Sequence, residues 1–262
     1  MQVGFGSGFM SGIRTDTTLN VTTPAQLGIL QDVSVDFNFS LKKLYGQYKF
    51  PVSIAQGTGT VTGKAKFAKM NSRVYNDLIF GGTLTGGETR VVQNEGPAGG
   101  TAIPATPFTI TVTNGSLMTT KGVDLGVIDA ATGVQMKKVT GTPTAGQYAV
   151  VETTGVYLFS SADNVSGIKV YISYEYGVAI AAGVGSSITI TNQLLGNTLP
   201  FSAHINVQFN SQQATIILNR CMSNKLNLVT KLDDYVIPEF DFEAFADAAN
   251  NIGTISLNEG TV

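Results

Sequence analysis

Residues 41–81 read LKKLYGQYKFPVSIAQGTGTVTGKAKFAKMNSRVYNDLIFG, and within them the hydrophobic period changes. From Thr60 to Phe67, Val61, Gly63, Ala65 and Phe67 alternate with Thr60, Thr62, Lys64 and Lys66, the pattern of a strand with one covered face. Phe67, Met70, Val74 and Leu78 then recur every three or four residues, Tyr75 and Ile79 widen the stripe, and Lys69, Asn71, Arg73 and Asp77 fall opposite. This spacing predicts a helix over 67–80, ended at Gly81 and Gly82, where a left-handed cap costs least. A lone amphipathic helix in a chain of strands and turns must lay its stripe on a sheet, so it is expected to plug an open face or end of a barrel or sandwich.

Two long strands flank this region in the sequence. In Gln31–Leu41, Val33, Val35, Phe37, Phe39 and Leu41 define a dry face, and Ser34, Asp36, Asn38 and Ser40 a wet one. Phe201, Ala203, Ile205, Val207 and Phe209 likewise alternate with Ser202, His204, Asn206, Gln208 and Asn210. Further strands are expected at 216–222, 226–231, 235–245 and 254–257. The predicted fold is mainly β: a barrel or sandwich core of two packed sheets with one amphipathic helix, plus an inserted small β subdomain or long hairpins. The first 24 residues read as an arm too poor in bulky residues to bury itself, ordered only against a neighbour. Residues 25–107 form the first part of the core, with Gly81–Pro107 as a long loop or extended hairpin that becomes ordered in an assembly. Closely spaced turn signals from 108 to 176 mark the insertion, and 177–262 complete the core.

The composition fits short strands and tight turns. Of 262 residues, 43% are hydrophobic, enough for a sizeable core, and only 13% are charged. A net charge of −2 argues against sequence-specific reading of DNA, which needs a basic patch, but not against letting DNA pass. Cys221 is the only cysteine, so no intrachain disulfide forms and a reducing compartment is expected. MQVGFGSGFMSG lacks the basic lead and apolar run of a secretion signal, and Gly177–Gly185 is too short to span a bilayer.

Residues for catalysis are scarce. GTGTVTGKA at Gly57–Ala65 resembles a phosphate loop, but five residues separate Gly57 from Gly63, and Ala65 has no hydroxyl for magnesium. His204 is the only imidazole and sits on the polar side of its strand, which suits hydrogen bonding better than metal ligation. Cys221 beside Arg220 has only His204 as a conceivable base and reads as buried filler. Asp241 and Glu243 share a strand face at glycosidase-like spacing, but no Trp offers a sugar platform. No catalytic residue, cofactor or metal is expected. A carbohydrate-binding or adhesin-like sandwich is the alternative that the short strands and Gly/Thr turns leave open.

Several strings carry a resemblance. LYGQYKFPVSIAQGTGTVTGKAKF, the opening FGSGFMSGIRTD and the closing IPEFDFEAFADAANNIGTISLNE are similar to the major tail tube proteins of tailed bacteriophages, as are VDLGVIDAATG and GQYAVVETTGVYLFS. The resemblance implies a non-enzymatic virion protein of the tail, made in the host bacterial cytoplasm. Its subunits would form hexameric rings that stack with their inner sheets joined into a channel, through which double-stranded DNA passes without sequence recognition. A sheath, baseplate or terminator protein would be a further partner, and no membrane is involved.

Two sets of residues follow as candidates. A channel for DNA should be polar and poor in cations, which suits Ser34, Asp36, Asn38 and Ser40 with Ser202, Asn206 and Gln208. Lys42, Lys43, Lys49, Lys64, Lys66, Lys69 and Arg73 run without an acid, while Asp233, Asp234, Glu239, Asp241, Glu243 and Asp247 run without a cation. Lys64 and Lys66 share one face, and so do Glu239, Asp241 and Glu243. The two ladders are expected to face each other, within one subunit or between neighbours.

Overall fold

A computed structural model describes residues 6, 8–16, 23–179, 185–196, 199–209, 212–230 and 232–257. In chain order the strands are β1 Phe9–Arg14, β2 Ala25–Leu27, β3 Leu30–Tyr45, β4 Pro51–Phe67, β5 Leu84–Gly86, β6 Glu88–Glu95, β7 Thr101–Ala102, β8 Thr109–Thr111 and β9 Val123–Asp129. They continue as β10 Lys137–Lys138, β11 Gln147–Val151, β12 Val156–Phe159, β13 Lys169–Val178, β14 Ser186–Ile188, β15 Phe201–Phe209, β16 Gln212–Asn227, β17 Glu239–Ala244 and β18 Gly253–Leu257. The α-helices among the described residues are α1 Ser72–Tyr75, α2 Met118–Lys121 and α3 Ser161–Val165, each about one turn long. The chain divides into two compact units, 1–84 with 188–262, and 85–187.

The first unit is built on an eight-stranded sheet in the order β2-β1-β15-β16-β17-β4-β3, with β18 beside the N-terminal part of β16. The edge strands β2 and β3 are joined only by Gly28 and Ile29, so the sheet curls until its edges come together at that end. The enclosed core holds Met10, Leu27, Leu30, Phe67, Phe201, Leu218, Phe240 and Phe242, and the last two rings pack on Phe201 with centroids 5.8 Å away. Alternation in β4 is as the sequence predicts, with Val61, Gly63, Ala65 and Phe67 buried. The same holds in β15 for Phe201, Ala203 and Ile205, whereas Val207 is half-buried and Asn210 lies outside the described residues.

The helix is shorter than its period suggests. Phe67 stays in strand, and Ala68 and Lys69 extend the backbone bonding by donating to Ile29 and Gly28. Met70 is therefore exposed, and Asn71 caps the helix by accepting from the Arg73 amide. α1 passes at once into a π-helical turn, Asn76–Phe80, ended by Gly81 at φ 62°, the left-handed cap expected there. Val74 and Leu78 are buried, with Tyr75 and Ile79 packed beside them, and Leu78 rests on Gly12. Asp77 is not on a wet side: the wider π turn rotates it inward, where it accepts from the Asn76 amide and pairs with Arg73 at 3.3 Å.

Four further expectations change. The N-terminal arm contains β1, which pairs with β15 from Phe9 to Arg14 and buries Met10; residues 1–5, 7 and 17–22 of that arm are outside the described set. Gly81–Pro107 is not a long loop, because β6 occupies 88–95 and pairs with β13; the insertion accordingly spans 85–187 and not 108–176. The segments expected as separate strands at 216–222 and 226–231 merge in β16, which ends at Asn227 and has a register shift between Ser223 and Lys225; residue 231 lies outside the described residues, and the strand expected at 235–245 shortens to β17. The dry face of β3 is covered only as far as Val35: Phe37, Phe39 and Leu41 are exposed.

The second unit is a small sandwich. β10-β11-β12-β8 form one four-stranded sheet and β6, β13, β7 and β9 another, sharing a core of Val127, Tyr148, Tyr157, Phe159, Val170, Ile172 and Tyr174. The Tyr148 and Tyr157 hydroxyls both donate to Asp124, which also meets Lys138 at 3.2 Å. Burial and that carboxylate push both tyrosines well above their ordinary value. β14 and β5 pair as a two-stranded ribbon where the chain enters and leaves this unit.

Candidate assembly surfaces

The two charge ladders meet inside the chain. β17 and β4 pair antiparallel, placing Glu239 opposite Lys66, Asp241 opposite Lys64 and Glu243 opposite Thr62. On the other side of β17, Lys225 reaches Glu239 at 3.3 Å and Asp241 at 3.6 Å, a third cation that sequence reasoning did not assign to the ladder. The Lys225 hydrogen bond, with smaller contributions from Lys64 and Lys66, holds the Glu239 carboxyl below the usual carboxylate range. Because Lys64, Lys66 and Lys225 are exposed, these pairs add little to stability.

The candidate channel residues all lie on the side of the sheet turned away from the core, but in two groups. Ser34, Asp36 and Asn38 stand opposite Lys64, Thr62 and Thr60, and the Ser40 hydroxyl meets Thr58 at 3.1 Å. Ser202, Asn206 and Gln208 lie on β15, with β16, β17 and β4 between them and β3. Asn206 donates to the Thr215 hydroxyl across the β15–β16 ladder, and Gln208 faces Gln213, so this second patch carries no charge in its pairs. His204 is part of it, half-buried, between Ser11 and Ile217, with the Ser202 hydroxyl 3.3 Å from Nε2.

The chemical motifs resolve into packing. Cys221 faces the core and His204 faces away from it, so the two cannot act together; burial pushes the thiol up to about 12. The glycines of Gly57–Ala65 sit in continuous strand, without a turn before the helix. A Cβ on Gly63 would stand 2.1 Å from the Phe242 ring, and one on Gly59 would stand 2.8 Å from the Phe39 ring, so both glycines make room for neighbouring aromatics. Asp241 is engaged by Lys225 while Glu243 is exposed. Among the described residues no group of three or more His, Cys, Asp or Glu could hold a metal ion, and no helix is long and apolar enough to cross a membrane.

One exposed apolar surface went unassigned in the sequence. Beyond Phe37 the paired strands β3 and β4 continue away from the core as a two-stranded ribbon to the turn at 46–50, and Leu44, Tyr45, Tyr48, Phe50, Val52 and Ile54 are all exposed, Tyr48 and Phe50 by 80% and 82%. The legible signal was LKKLYGQYKFP: lysines interleaved with aromatics and no acid between Asp36 and Asp77. No family model matches the sequence, and no curated protein matches it.

Proposed function

We propose that this protein is a structural subunit of the tail tube kind, which assembles into stacked hexameric rings around a channel for the phage genome and catalyses no reaction. The observation that carries this reading is the β3–β4 ribbon, an apolar two-stranded projection that the described chain leaves uncovered. Exposed apolar surface of this extent and an open sheet edge are liabilities in a monomer and become assets in an assembly. The uncharged patch on β15 and β16 suits a channel wall, since serine, asparagine, glutamine and threonine hold phosphates weakly, whereas on β3 Ser34 stands opposite Lys64. The working location is the virion tail, with self-association as the main partnership and sheath, baseplate or terminator proteins as neighbours.

Negative-stain imaging and sedimentation of the purified protein across a wide concentration range test the reading. Rings or tubes with a central channel are expected; a strictly monomeric species at every concentration overturns it. In tubes that do form, Asp36→Lys with Asn38→Lys is expected to leave assembly intact and slow DNA passage. Asn206→Lys with Gln208→Lys tests the second polar group in the same way, and whichever pair leaves passage unchanged lies off the channel.

A further inference from the structure

We infer that the tip of the β3–β4 ribbon docks on an anionic lipid bilayer, with its aromatic turn in the headgroup region and its lysines on the lipid phosphates. Assembly is not required for this, because a free subunit presents the tip in full. The resemblance to tail tube proteins implies no membrane, whereas the tip has the chemistry of a surface that meets one.

β17 pairs with β4 only from Val61 to Lys66, so from Leu41 to Gln56 the ribbon has no third strand beside it among the described residues. Tyr45 pairs with Pro51, and the turn beyond them carries Tyr48 and Phe50, the most exposed aromatics of the ribbon. Leu44, Val52 and Ile54 continue the apolar surface behind the turn, each more than half exposed. A tyrosine has an apolar ring and a wet hydroxyl, which places it at the boundary between headgroups and acyl chains.

The cations stand where such a boundary needs them. Lys43 pairs with Ile54 and Lys42 with Ala55, two or three residues behind Tyr45. At about 3.3 Å per residue that is roughly 7–10 Å, close to the depth to which interfacial segments enter a bilayer. Successive strand residues point to opposite faces, so Lys42 and Lys43 reach headgroups on both sides of the ribbon, and Lys49 in the turn extends its ammonium outward from the apolar layer. No acid occurs between Asp36 and Asp77, and among the described residues no carboxylate pairs with these three lysines. Their charge is therefore available to lipid phosphates.

The backbone limits the depth. A two-stranded ribbon has unpaired amides and carbonyls along both edges, which hydrocarbon does not satisfy, so the turn enters and the strands stay in water. Single-stranded nucleic acid fits less well, because Leu44, Val52 and Ile54 give bases nothing to stack on and a convex tip offers no groove for a phosphate backbone.

The chain contains no Trp, so Phe50→Trp supplies a single indole at an exposed position of the full-length protein. With vesicles of equal parts phosphatidylcholine and phosphatidylglycerol, its emission should shift to the blue and be quenched by brominated acyl chains. Vesicles of phosphatidylcholine alone should bind far more weakly, and added salt should release the protein from the anionic ones. In vesicle co-sedimentation, Lys42→Glu, Lys43→Glu and Lys49→Glu together should weaken binding by about a hundredfold or more. Tyr48→Ser with Phe50→Ser, which alters no charge, should weaken it by about tenfold or more. Far-UV circular dichroism and the melting midpoint confirm that each variant folds. No blue shift with anionic vesicles overturns the docking, as does binding that survives the charge reversal or the loss of both aromatics. A shift that rises with protein concentration and ignores vesicles assigns the tip to a second copy, and one produced by an oligonucleotide alone assigns it to nucleic acid; either overturns the lipid docking. None of these readouts requires rings or tubes, so their failure leaves the assembly reading standing.

Discussion

β3 and β4 are paired from end to end, yet the two halves of this ribbon have different surroundings. Near Phe67 the dry residues Val61, Ala65 and Phe67 are sealed under Phe240, Phe242 and the α1 turn. Farther out Phe39 and Leu41 are bare, and the boundary falls at Phe37, which is exposed although it stands opposite buried Val61. Alternation in a strand fixes which side is apolar, and it contains no information about what covers that side. In the first half the cover comes from the same chain; in the second, no described element supplies it.

The difference has measurable consequences in dilute, unassembled subunit. Phe242→Ala removes a ring buried against Phe201 and Phe240 and is expected to cost about 3–5 kcal/mol in urea unfolding. Gly63→Ala forces a methyl into that same ring and should cost about 1–3 kcal/mol. Gly59→Ala meets the half-exposed Phe39 ring, which is free to swing aside, so a shift within roughly 0.5 kcal/mol is expected. If Gly59→Ala proves as costly as Gly63→Ala, the outer half is covered after all. Phe39→Ala should likewise leave subunit stability within about 0.5 kcal/mol while lowering the yield of rings or tubes. The smallest effect is expected for Lys225→Ala, an exposed cation whose loss should leave the unfolding midpoint where it was and the register of β17 unchanged by amide hydrogen exchange.

Much of this was legible in the chain. The change of period at Phe67, the cap at Gly81 and the two faces of β4 and β15 were readable because local alternation dictates them. The meeting of Lys64 and Lys66 with Asp241 and Glu239 was readable as complementarity, though the sequence left open whether it fell within one subunit. Only the register of β17 on β4, a contact between residues some 170 positions apart in the chain, places it there. What local patterns could not give was the depth of cover over Phe39, the π turn that rotates Asp77 inward, or the capture of the glycine-rich 81–107 by β13. Each depends on a distant partner: nothing in PFTITV or GGETRVVQNEG says which strand it will pair with. The aromatic tip was overlooked for the opposite reason, since tyrosine and phenylalanine in a strand-like stretch read as core until the fold shows that no core reaches them.

The seclusion of Cys221 makes this chain convenient to label. It is the sole cysteine, 0% exposed, and its thiol is pushed up to about 12, so a maleimide at neutral pH finds almost no thiolate and no path to it. Replacing an exposed residue such as Tyr48 or Tyr235 by cysteine therefore creates a single reactive position without first removing a native one. A fluorophore pair placed at those two positions on separate copies would report distance between neighbouring molecules directly, one dye for each subunit.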